Sequence, residues 1–283
     1  MIQLHNILVD GSKDRPMLAD VYFKSDQKKK PIIIFVHGFK GFKDWGHFNM
    51  IGKSLANAGF IFYKFNFSYN GSGLKAPSDF TDLEAFGQNN FSIELDDLGK
   101  MIDFSLNNSI VPKIESDLQK VYLIGHSRGG GIAILKTAED SRITKLVTWA
   151  SVAEFGRYWS KEVMQRWKDN GVMSIRNGRT NQDMPLYFQL YENYFENLER
   201  LNIPRNAASI NNPWLIVHGT NDEAVPIEAA KELHSLNDDS KLRIVVNGNH
   251  TFGGRHPWNL QTLSEDMDQV LKDTIHFFNG NNQ

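Results

Sequence analysis

Cysteine is absent from the 283 residues, and that absence excludes disulfides, thiolate zinc sites and cysteine nucleophiles together. Long apolar runs are missing too. No stretch reaches the roughly 20 residues a membrane helix requires. The opening MIQLHNILVDGSKDRPMLADVYF carries acids and lacks the apolar core of a signal peptide. Neither sign of charge is in excess: 31 Lys and Arg stand against 33 Asp and Glu, a net charge of −2, so no global field favours nucleic acid. These absences lead to the expectation of a cytoplasmic, soluble protein with no membrane or nucleic-acid partner; a homodimer is left open. The one basic run, Lys28-Lys29-Lys30, sits between two strand-like segments and reads as a solvated hairpin loop.

What is present is ordinary in bulk and organised in detail. Hydrophobic residues make up 41% and charged ones 23%, as in a globular protein with a sizeable core. From residue 31 onward, short apolar β-rich runs alternate with helix-like stretches, the pattern of a mainly parallel sheet covered by helices on both faces. The runs are NILVD, MLADVYF, PIIIFVHG, GFIFYKFNF, KVYLIG, KLVTWAS, PWLIVHG and KLRIVVNG, about eight strands. The first two read as an edge hairpin. FNMIGKSLANAG, SIELDDLGKMIDFSLNN, GGGIAILKTAED, PIEAAKELHSL and SEDMDQVLKDTIHFF supply the helices.

One stretch breaks the alternation. Between KLVTWAS and PWLIVHG, the sixth and seventh strands, lie roughly sixty residues, far more than a normal connection. They are rich in rings, among them Phe155, Tyr158, Trp159, Trp167, Tyr187, Phe188, Tyr191, Tyr194 and Phe195, and RNGRTNQDMP in their middle reads as a loop or hairpin. The expected division is a core of residues 1–152 and 212–283 with an inserted cap at 153–211.

Residues 122–135, YLIGHSRGGGIAIL, join a buried strand to a helix through a polar Ser127. Glycines at 125 and 129 flank it, as a sharp strained turn requires where the chain crosses itself closely. This is the G-x-S-x-G nucleophile elbow, which holds the serine Oγ above the carboxyl edge of the sheet. A serine needs a base to take its proton. Of nine histidines, His250 in NGNHTFGG directly follows the last strand and is the choice; His256 is the fallback. His37 and His218 close strands and read as structural, His126 is expected to point away from the serine, and His5, His47, His234 and His276 sit in ordinary surface or amphipathic contexts. Asp222 in HGTNDEAVP is the acid expected to hold the base's tautomer, with Glu154 a weaker substitute. The order Ser127, Asp222, His250 is that of open α/β sheets with this elbow. Backbone N–H groups of Arg128 and Phe39 are the expected oxyanion donors. No clustered His spacing suggests a metal, and no cofactor is expected.

Through HGFKG, GHSRGG, GTNDEAVP and GNHTF, the chain resembles the α/β-hydrolase superfamily over nearly its whole length. Within it, these motifs are similar to cap-bearing esterases of the cinnamoyl and feruloyl type and to relatives near dienelactone hydrolase and the prolyl oligopeptidase-type peptidases. The resemblance implies carboxylic ester hydrolysis through an acyl-enzyme, with the cap making the acyl pocket and Trp159, Tyr187 and Tyr191 as its expected lining. Small or medium acyl groups, aromatic ones included, would then suit it. Two departures bear on substrate: Arg128 stands where many such esterases carry Gln or Met, and the oxyanion motif is HGF. Acyl-peptidase, thioesterase and lactone hydrolase activities use the same machinery. A non-catalytic binding protein on this fold is the reading from another class, and it usually loses a triad member.

Overall fold

The eight apolar segments pair into one sheet in the computed structural model, which describes residues 1–107, 109–156 and 159–280. The chain starts with β1 (Ile2–Val9), β2 (Met17–Phe23), β3 (Lys30–Val36), α1 (Phe48–Asn57) and β4 (Ile61–Asn66). A short pair, β5 (Ser72–Gly73) and β6 (Ala76–Phe80), precedes α2 (Leu83–Gln88) and α3 (Phe91–Asn107). Then come β7 (Ser116–His126), α4 (Arg128–Glu139) and β8 (Ile143–Trp149). An insertion follows: α5 (Lys161–Asn170), β9 (Val172–Asn177), β10 (Gln182–Tyr187), α6 (Gln189–Glu196), α7 (Leu198–Leu201) and α8 (Ile203–Ala207). The last elements are β11 (Trp214–Gly219), α9 (Glu228–Ser235), β12 (Lys241–Val245) and α10 (Glu265–Phe278).

The sheet order is β1-β2-β4-β3-β7-β8-β11-β12. β2 runs antiparallel to β1 and β4, and every other neighbouring pair is parallel. Burial on both faces explains why β3 is apolar from Pro31 to Val36. Ile32, Ile34 and Val36 join the core that includes α3 and α4, while Ile33 and Phe35 join the one that includes α1 and α10. Side chains from the insertion, including Trp167, Met184, Leu190, Leu201 and Ile203, are buried in the same core as α3 and α4. RNGRTNQDMP is part of a β9–β10 hairpin in which Asn177 pairs with Gln182. Tyr158 lies outside the described residues. Among the described residues, no helix is long and apolar enough to cross a membrane.

The basic run departs from its reading as a solvated hairpin. β2 and β3 are not neighbours, because β4 lies between them. Lys30 opens β3 at 3% exposure, with Nζ 2.6 Å from the Glu115 carboxylate and also bonded to Asp26. The β3–β7 register sets Lys30 beside Ser116, so a buried cation meets a buried acid at the entrance to β7.

Candidate active site

The parallel strands converge on one edge, where the loops after β3, β7, β11 and β12 meet. Ser127 sits between β7 and α4 with φ 56 and ψ −122, a conformation that an L-residue keeps only when its surroundings hold it. The flanking glycines have a steric cause. A Cβ on Gly125 would lie 2.5 Å from the Gly129 oxygen, and one on Gly129 would lie 2.3 Å from the Val36 oxygen. Gly38 in the loop after β3 comes equally close: its Cβ would stand 2.9 Å from that of Ser127.

Asp222 and His250 meet as the sequence predicts. His250 Nδ1 lies 2.8 Å from Asp222 Oδ2, and the Asp222 side chain is wholly buried. Its other oxygen accepts from the backbone N–H groups of Ala224 and Val225 at 2.9 and 2.8 Å. His218, also buried, brings Nε2 to 2.8 Å from the Val225 carbonyl and 3.2 Å from Asp222 Oδ2. Burial alone would raise the Asp222 pKa; the hydrogen bonds from His218 and His250 more than reverse it and hold the carboxyl well below its usual range.

Further contacts fix the backbone around these groups. The loops after β11 and β12 are joined by Thr220 N–H to the Val245 oxygen at 3.0 Å and Asn221 N–H to the Gly248 oxygen at 2.9 Å. His126 anchors the base, its Nε2 bonding the His250 carbonyl oxygen at 2.9 Å. Burial and the neighbouring His250 lower the His126 pKa to about 3, so it is neutral and Nε2–H donates. His256, the fallback base, accepts from the Gly46 N–H at 3.0 Å and packs on Phe42 and Trp45. Glu154 is exposed, so it is not set against a histidine as Asp222 is.

Ser127 lines two clefts. The first, about 330 Å³, is walled by Phe39, Phe91, Val152, Phe155 and Ala224, with Arg128 beside the serine and Glu154, Glu228 and Glu232 among its lining. Phe91 and Phe155 stack at 4.0 Å and 7°. The Arg128 guanidinium lies 3.9 Å from the Phe39 ring centre and 3.4 Å from Glu94. The second cleft, about 220 Å³, holds His250, His126, Trp45, Asn177, Lys40 and Arg179. Ser127 Oγ and His250 share it without a mutual hydrogen bond in this structure, a contact that commonly tightens only with substrate bound. A larger cleft of about 420 Å³ around Arg15, Asn66 and Asp82 lies away from all of these groups.

The aromatics expected to line the acyl pocket stand elsewhere. Trp159, Tyr187 and Tyr191 line neither cleft at Ser127. Trp159 packs among Trp167, Tyr191 and Tyr194; Tyr191 also stacks on Phe188; the Tyr187 hydroxyl donates to Glu84. Trp159 and Tyr191 pack mainly within the insertion and Tyr187 ties it to α2, while Phe155 and the core residues Phe39 and Phe91 meet the cleft. Phe39 and Arg128 do lie at the serine. Arg128 is the first residue of α4, where a backbone N–H has no partner within its helix. Neither it nor the Phe39 N–H donates in the loop and turn hydrogen bonds of the described residues.

Comparison with known proteins bears on the family and the fold. The BD-FAE family model matches residues 19–236. Esterase/lipase 2 of Mycoplasma pneumoniae is 24% identical, over 84% of this chain and 88% of its own. Isoprenylcysteine alpha-carbonyl methylesterase of Arabidopsis thaliana is also 24% identical; the match covers 96% of this chain and 65% of that protein. Among solved structures, Est1E of Butyrivibrio proteoclasticus with ferulic acid bound superposes with a TM-score of 0.68 at 18% identity, covering 96% of this chain and 97% of that one. An esterase domain from a Rhodothermus marinus protein gives 0.64 at 16%, covering 98% of each. Sheet, elbow and family match coincide over most of the chain, which belongs to the BD-FAE family and is an esterase-like hydrolase of the α/β-hydrolase fold.

Proposed function

We propose that this hydrolase cleaves carboxylic esters through an acyl-enzyme on Ser127. His250 takes the Ser127 proton as Oγ bonds the ester carbonyl carbon. The tetrahedral oxyanion is met by the backbone N–H groups of Phe39 and Arg128. His250 then gives the proton to the leaving oxygen as the C–O bond breaks. Water, deprotonated by His250, then bonds the acyl carbon; as the bond from that carbon to Oγ breaks, His250 returns the proton to Ser127 and the acid is released. Asp222 keeps the His250 proton on Nδ1 and stabilises the imidazolium that forms.

The observation that carries this reading is a strained Ser127 sharing a cleft with a histidine whose Nδ1 is 2.8 Å from a buried Asp222. The rings of Phe39, Phe91 and Phe155 at the first cleft support a medium or aromatic acyl group, since rings offer large contact areas at low entropy cost.

The test is kinetic. Ser127→Ala and His250→Ala are each expected to lower kcat by about 10⁴-fold with the fold intact, and His256→Ala far less. Retention of a tenth of the activity in pure Ser127→Ala protein would remove the serine from the mechanism.

A further inference from the structure

The two clefts at Ser127 differ in which reacting group they hold and in charge. His250 lines the smaller cleft and not the larger. The imidazolium must hand its proton to the leaving oxygen, so the leaving group departs through the smaller cleft and the acyl group occupies the larger. This assignment rests on the serine mechanism proposed above.

The leaving-group cleft is lined by two cations and by no Asp or Glu among the described residues. Lys40 reaches it from the loop after β3, and Arg179 from the turn between β9 and β10. Among the described residues Lys40 Nζ has one hydrogen bond, a long one of 3.4 Å to the Arg176 carbonyl, and Arg179 donates Nη2–H to the Ser78 carbonyl at 3.1 Å. Neither forms an ion pair among the described residues, and burial already pulls the Lys40 pKa down. The contrast with the acyl side is direct: Arg128 there has Glu94 beside it, and three further carboxylates line that cleft. Two cations without an acid beside a proton-donating histidine make a field that attracts negative charge.

We infer that the leaving half of the substrate carries an anionic oxygen group, a carboxylate or a phosphate, that sits between Lys40 and Arg179. An alcohol or phenol of this kind would be held by its charge while the ester bond lies over Ser127.

Three butyrate esters with one acyl group test this: those of 4-hydroxybenzoate, of 4-hydroxyphenyl phosphate and of methyl 4-hydroxybenzoate. The first two leave as anions and the third is neutral. The readout is the anionic-to-neutral ratio of kcat/KM, compared between wild type, Lys40→Met and Arg179→Met, so that intrinsic leaving-group reactivity cancels. Each substitution is expected to lower the ratio for at least one anion by about ten-fold, as loss of a charge-assisted hydrogen bond does, and added salt to lower it in the wild type. Whichever anion responds identifies the group. Ratios unchanged in both variants for both anions would overturn the inference. Failure of the underlying mechanism looks different: the neutral ester would then be cleaved equally well by Ser127→Ala.

Discussion

His37 and His47 are among the least exposed side chains near the site, at 3% and 1%. His37 donates Nδ1–H to the Gly38 carbonyl at 2.9 Å and accepts at Nε2 from the Phe67 N–H, which suits a neutral ring. His47 has no hydrogen-bond partner for either ring nitrogen among the described residues, so its reading as an ordinary surface or amphipathic residue is corrected: it is walled in by Trp45, Phe48 and Trp258. Burial lowers both pKa values from 6.5 to about 4. Between those values an unfolded chain binds protons that the folded chain refuses. This stability is present above the unfolded value and is lost as pH falls toward 4, by about 2 kcal/mol per histidine at pH 5. Thermal melts should therefore show a lower Tm at pH 5 than at pH 7, with a smaller drop in His47→Phe; equal drops would contradict the assignment to His47. Ser127, Asp222 and His250 were legible because their constraints are local, a glycine two residues away or a strand just ended. The anchoring role of His126 was not, since its partner loop is distant in sequence; that of His218 was not either, since it turns on how the loop after β11 folds back onto the strand it has just left.

The loop from β3 to α1, which carries Phe39 and Lys40, is tied to the sheet by charge. Asp20 on β2 faces Lys64 on β4 in register, with 2.6 Å between their charged atoms and both side chains at 0% exposure. From the loop, Lys43 reaches Asp20 at 2.8 Å and Asp44 reaches Lys64 at 2.5 Å. Burial would raise the Asp20 pKa; Lys64 and Lys43 overcome it and drive the carboxyl far below its normal range. Removing one member leaves charge uncompensated in the interior, so Lys64→Met should cost about 3 kcal/mol or more in denaturant unfolding. The Asp20→Asn, Lys64→Met double variant should cost less than the two single losses added; simple additivity would mean the quartet does not act as a unit. Strands and helices themselves were readable from apolar periodicity. This network was not, because the pairing of β2 with β4 brings together MLADVYF and GFIFYKFNF, segments some forty residues apart, and only the register tells which polar residues meet.

At the scale of the whole molecule, a net charge of −2 conceals a division. Glu154, Glu228 and Glu232 line the cleft on one side of Ser127, and Lys40 and Arg179 line the other. The sheet could be read from sequence, as could the strained turn at Ser127. Which insertion aromatics meet substrate could not: ring count is the same whether rings pack on one another, as Trp159 and Tyr191 do, or open onto a cleft, as Phe155 does. Tertiary packing alone makes that choice. The insertion reaches the leaving-group side through Asn177 and Arg179, a polar contribution that the aromatic composition did not announce. All of this depends on Ser127 being the nucleophile, and one measurement tests that most directly. Wild type and Ser127→Ala are treated with a fluorophosphonate, and the adduct is located by intact mass and peptide mapping. The account predicts a single adduct on the peptide that contains Ser127 and none on the variant. An adduct at another residue, or an unlabelled wild type that still hydrolyses esters, would contradict it.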